Sequence, residues 1–65
     1  MIATNLLAKR VFPPYDELFT EGKLYQIEKV SPNGAMALVL TDEGEYCHVN
    51  VAISNYGVFE VQYDA

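Results

Sequence analysis

Residues 35–51, AMALVLTDEGEYCHVNV, decide the fold. From Glu45 to Val51 the chain alternates, with Cys47, Val49 and Val51 on one side and Tyr46, His48 and Asn50 on the other. A period of two is the mark of a strand with one buried face. Ala35 to Leu40 is a continuous apolar run of strand length, which predicts a strand buried on both faces or paired centrally in a sheet. Between the two runs, Thr41-Asp42-Glu43-Gly44 reads as a hairpin connection with Gly44 at the left-handed position.

Working outward, Ser31-Pro32-Asn33-Gly34 is a strong turn, because proline presets one dihedral and Asn-Gly tolerates positive φ. Before it, Lys23 to Val30 has β-favouring Tyr25, Ile27 and Val30, the last brought inward by a bulge or by strand twist. Downstream, Ala52 to Gly57 is a short connector with room for one tight helical turn. Val58 to Tyr63 alternates again, with Phe59, Val61 and Tyr63 opposite Glu60 and Gln62. Upstream, Tyr15 to Gly22 is a polar and aromatic bridge. Asp16 is expected to cap one helical turn there, with Leu18 and Phe19 dipping into the core and Gly22 turning the chain into the first strand. Pro13-Pro14 stops whatever precedes it. In Met1 to Phe12, Ile2, Leu6 and Leu7 fit a helical stripe, yet the segment reads equally as an extended arm.

Four short strands in so short a chain must curl to bury one core, which predicts a strongly bent sheet or small barrel. Four segments carry a resemblance: Gly22-Lys23-Leu24-Tyr25-Gln26-Ile27, Leu38-Val39-Leu40-Thr41-Asp42-Glu43-Gly44, Tyr46-Cys47-His48-Val49 and Phe59-Glu60-Val61. Together they resemble the small SH3-like barrels of phage and bacterial proteins, over roughly residues 22–63. The resemblance implies a mostly β, SH3-like barrel of four to five strands with an N-terminal arm or short helix. Residues 1–14 would be the arm and residues 15–65 the barrel core of a single domain.

At 65 residues, only roughly 60% of the unfolded chain's surface is buried on folding, so stability is expected to be marginal without help. Cys47 is the one cysteine, which excludes an intrachain disulfide and fits a reducing compartment; the cytoplasm, or a host's cytoplasm for a viral protein, is expected. Cys47 and His48 are adjacent instead of spaced as ligands, so neither a structural metal nor a cofactor is expected. The N-terminus lacks signal-peptide form, since Lys9-Arg10 follows the apolar stretch, and no apolar run reaches bilayer-spanning length.

Charge is distributed unevenly. Residues 1–29 balance four acids against four bases, whereas residues 30–65 hold five acids (Asp42, Glu43, Glu45, Glu60, Asp64) and no base. A half-chain without Lys or Arg is badly suited to phosphate backbones or anionic lipid, which disfavours nucleic acid and membrane as partners.

Consecutive strand residues face opposite ways, so Cys47 and His48 are not placed as nucleophile and base, and no enzymatic activity is expected. The Tyr46, His48, Asn50 row, with Tyr56 and Tyr63 extending it if the connector and last strand lie beside it, is instead a candidate protein-contact face, set against the plain strand preference of Tyr. Asp42, Glu43 and Glu45 are expected to steer the chain towards a basic protein surface. The resemblance and the small size point to a phage-encoded modulator or inhibitor of a host or viral protein. The alternative is a structural or assembly subunit acting through self-association, motivated by the apolar N-terminal segment and residues 35–40.

Overall fold

The computed structural model describes residues 2–64. Its five strands are β1 (Ile2–Val11), β2 (Leu24–Val30), β3 (Met36–Leu40), β4 (Tyr46–Asn50) and β5 (Gly57–Asp64), with a 3-10 turn at Tyr15–Glu17. All pairings are antiparallel, in the order β4-β3-β2-β1-β5, and the sheet curls into a half-barrel.

The β3–β4 hairpin forms as the sequence predicts, in unbroken register from Met36 opposite Asn50 to Leu40 opposite Tyr46. Gly44 sits at φ +82° and its N–H donates to the Thr41 carbonyl. β3 is paired on both edges, but it is buried on one face only. Ala37 and Val39 point into the core, while Leu40 on the opposite face is 44% exposed. A half-barrel has one concave side to fill, so a continuous apolar run is not needed on both.

β2 bends the sheet. Its first half pairs with β1 (Leu24 to Gln26) and its second half with β3, with a bulge between Ile27 and Lys29. The bulge brings Val30 to the concave side, opposite buried Ala37, as the sequence suggested. Val30 remains 40% exposed because that end of the half-barrel carries no cover.

Residues 2–11, expected as an arm or short helix outside the barrel core, are a strand of the sheet itself. β1 lies between β2 and β5, with Leu6 and Ala8 fully buried. Edges offered on both sides supply the backbone partners that an isolated helix of this length would have to find within itself. At the end of its ladder with β1, Gly57 at φ +155° lies opposite Val11.

The Tyr15–Glu17 turn and the residues after it stopper one end of the half-barrel. Phe19, 1% exposed, meets Tyr25 and Phe59 edge-to-face at 5.1 Å each. Asp16 does not cap the turn. Pro14 occupies the cap position, and the Leu18 and Phe19 N–H groups both donate to the Tyr15 carbonyl. The 52–57 connector forms no helical turn either; its first N–H groups, those of Ala52 and Ile53, are taken up by the Asn50 side-chain carbonyl.

One buried polar atom is unpaired. The Thr41 Oγ1 has no hydrogen-bond partner among the described residues, and the residue is 5% exposed. Leaving a hydroxyl dry and unpaired costs stability. Thr41→Val is therefore expected to raise the unfolding free energy by up to about 1 kcal/mol, read as a higher urea midpoint at unchanged slope. A lower midpoint would mean that the hydroxyl is satisfied in solution.

Candidate functional site

β4 is an end strand of the sheet, and its alternation sets up two different surfaces. Val49 is fully buried and Cys47 half-buried on the concave side; Tyr46 and His48 are exposed on the convex side, with Asn50 half-buried beside them. Cys47 and His48 thus face opposite ways. The Cys47 thiol donates a weak, long bond to the His48 carbonyl, at 3.6 Å, and its closeness to the Tyr56 hydroxyl holds that hydroxyl above its ordinary value.

The convex row has company. Antiparallel pairing places Leu40 beside Tyr46, Leu38 beside His48 and Met36 beside Asn50. Tyr46 is 60% exposed, and Ile53 on the connector, at 82%, is the most exposed of the large apolar side chains. His48 and Leu38 also border a shallow hollow of about 160 Å³ with Lys29 and Pro32. Leu40 and Ile53 were missed in the sequence. Strict alternation applied to residues 35–40 would have placed Leu38 and Leu40 outward, whereas nothing local marks Ile53.

Tyr63, expected to extend the row, lies instead on β5, the other end strand of the sheet. Tyr56, expected to do the same, is half-buried. Its ring packs edge-to-face on Tyr15 at 4.8 Å and tilts against Phe19, so much of it belongs to the stoppered end. It still borders a second hollow, with His48, Asn50 and Ile53.

The three hairpin acids do not act together. Glu43 and Glu45 are exposed to solvent. The Asp42 side chain is 21% exposed and turns back to receive hydrogen bonds from Thr20 Oγ1 (2.7 Å), Tyr25 Oη (3.0 Å) and Lys23 Nζ. Tyr25 Oη in turn accepts the Thr20 N–H at 2.6 Å, and the Asp42 N–H donates to the Leu18 carbonyl. This network ties the hairpin to the stopper. Burial pushes the Asp42 carboxyl up, but the bonds from Lys23, Thr20 and Tyr25 outweigh it and hold it below the usual carboxylate value. Burial raises the Tyr25 hydroxyl.

A depressed carboxylate binds fewer protons folded than unfolded. Its contribution is therefore fully present above the ordinary Asp value of about 3.9 and is lost as pH falls through the lower folded value. Asp42→Asn is expected to cost about 1–2 kcal/mol at neutral pH and to flatten the acid limb of stability against pH. An unchanged acid limb would assign that limb to other carboxylates.

Among the described residues, no group of three or more His, Cys, Asp or Glu side chains is placed to hold a metal ion, and no helix is long and apolar enough to cross a membrane. No family model, curated protein or solved structure matches the chain.

Proposed function

We propose that this chain is a small acidic protein-binding module of the SH3-like type, phage-encoded, which docks on a host or viral protein and modulates it. The observation that carries the reading is the convex face of the β3–β4 hairpin. Tyr46, His48 and Asn50 stand there in a row with Leu40 alongside and Ile53 near its end, and these large side chains meet solvent. Tyrosine supplies contact area and a hydrogen-bonding tip at low entropic cost, which is why it concentrates at interface hot spots.

The charge pattern sets the kind of partner. Glu43 and Glu45 flank the row, and residues 30–65 offer no Lys or Arg. Asp42 is engaged within the fold, so attraction to a basic surface rests on the other two acids.

A pull-down from bacterial lysate with the chain tagged at its C-terminus, run beside a Tyr46→Ala, His48→Ala double variant, tests this reading. A specific protein retained by the parent, lost by the variant and released by moderate salt is the expected result. A protein retained equally by both would move the interface elsewhere. Recovery of nothing but the chain itself would favour the alternative of self-association. For that alternative the supporting feature is the uncovered end of the half-barrel, where Ile27, Val30, Val51, Val61 and Tyr63 line an apolar hollow of about 320 Å³.

A further inference from the structure

The hydrogen-bond register of the β3–β4 hairpin fixes which backbone groups β4 leaves free. The Thr41 N–H donates to the Glu45 carbonyl at one end of the hairpin, and the Val51 N–H donates to the Ala35 carbonyl at the other. Directly opposed residues in an antiparallel pair alternate between hydrogen-bonded and non-bonded. Pairs of odd-numbered residues, such as Val39 with Cys47, are therefore bonded, while Leu40 with Tyr46, Leu38 with His48 and Met36 with Asn50 are not. The N–H and C=O groups of Tyr46, His48 and Asn50 thus point away from β3, towards the edge where the sheet ends.

The same three residues present their side chains on the convex face and their backbone on the open edge. Among the described residues, the one further bond to these backbone groups is the weak thiol contact to the His48 carbonyl. Over the convex side, between the β3–β4 pair and the connector, lies a hollow of about 190 Å³ walled by Met36, His48, Asn50, Ile53 and Tyr56. On the concave side next to the edge, Cys47 and Val51 are only half-buried.

We propose that β4 takes up an extended segment of a partner protein as an added antiparallel strand, one whose apolar residues alternate with Lys or Arg. This rests on the protein-binding reading and specifies its mode. Each requirement on the segment has a source in this chain. The free N–H and C=O groups of Tyr46, His48 and Asn50 require an extended backbone. Half-buried Cys47 and Val51 require apolar side chains on the concave side. The exposed acids Glu43 and Glu45 at the start of the strand favour positive charge in the segment, and with the concave side taken by apolar side chains that charge falls on the convex side. A second copy is disfavoured as occupant, because its two end strands, β4 and β5, both come from the base-free residues 30–65.

In antiparallel pairing, a partner residue that exchanges both backbone bonds with His48 shares its face, the convex one. The basic residues of the added strand, not the apolar ones, therefore carry the bonding N–H groups. That asymmetry gives the test. A capped heptapeptide of alternating lysine and valine is titrated into the 15N-labelled chain, beside one copy N-methylated at every lysine and another N-methylated at every valine. Charge and composition stay nearly constant across the three.

The expected result is binding of the parent peptide and of the valine-methylated copy, with slowed exchange of the Tyr46, His48 and Asn50 amides. At least about tenfold weaker binding is expected for the lysine-methylated copy, because each lost bond is worth a sizeable part of a decade in affinity. Equal binding of all three, lost in the Tyr46→Ala, His48→Ala variant, would overturn strand addition while leaving the convex docking face standing. No binding of any peptide overturns the proposal, and a partner still captured by the convex row would then preserve the broader reading. Protection of the same amides that grows with protein concentration, without peptide, would make a second copy the occupant and overturn it too.

Discussion

Gly57→Ala is expected to unfold the chain, or nearly so, although the change adds a single methyl group. A Cβ at this position would lie 2.0 Å from the Arg10 carbonyl oxygen and 2.9 Å from both the Arg10 carbonyl carbon and the Val11 Cα. All three atoms are backbone of β1, so no side-chain rotation relieves the clash. The φ of +155° is also one that residues with a Cβ rarely adopt. Strain and displacement together are expected to cost at least about 3 kcal/mol. A domain of this size is stable by roughly 3–10 kcal/mol, so the loss takes between about a third and all of the total. Thermal melting followed by circular dichroism reads it directly, with about 4–8 °C lost per kcal/mol. Gly44→Ala is the control. It also has positive φ, but nothing lies within 4 Å of its added Cβ, and about 1 kcal/mol is expected. If both variants melt alike, the close approach of β5 to β1 is not what confines residue 57 to glycine.

Phe19→Ala is expected to be almost as severe, at about 3–5 kcal/mol. Phe19 is among the largest side chains that are fully buried, and three aromatic rings surround it: Tyr25, Tyr56 and Phe59. Truncation removes both the apolar area and the edge-to-face contacts, and it opens a cavity between the stopper and the sheet. Phe19→Leu retains most of the volume and is expected to cost about 1–2 kcal/mol. Ile53→Ala, at an exposed site, should leave the melting temperature within a degree or two, consistent with the small effects of surface substitutions. A Phe19→Ala protein that melts cooperatively near the parent temperature would show that the stopper packs elsewhere in solution.

What the sequence made legible was local. Alternation across Glu45 to Val51, the turn at Ser31 to Gly34 and the Gly44 hairpin each depend on residues within a few positions, and each is where the reading put it. β1 was ambiguous for a physical reason. Its buried positions are Leu6 and Ala8, residue types that favour helix as readily as strand, and its longest ladder is with residues 57–64, some fifty positions away. The Asp42 network was invisible for the same reason. Thr20, Lys23 and Tyr25 meet Asp42 only after the stopper has folded onto the hairpin. For the candidate site, alternation identified the outward row of β4. Only the strand order identified that row as the end of the sheet, with free backbone groups, and strand order is not a local property.

The β1–β5 ladder also bears on how the protein is made. β1 leaves the ribosome before every other strand, yet its longest ladder waits for β5, which leaves last. Until then Leu6 and Ala8 lack Phe59, and one edge of β1 stands open to any other extended chain. A nascent chain halted before Gly57 cannot close its core. The final eight-residue strand therefore acts as the latch that converts an adhesive intermediate into a finished domain.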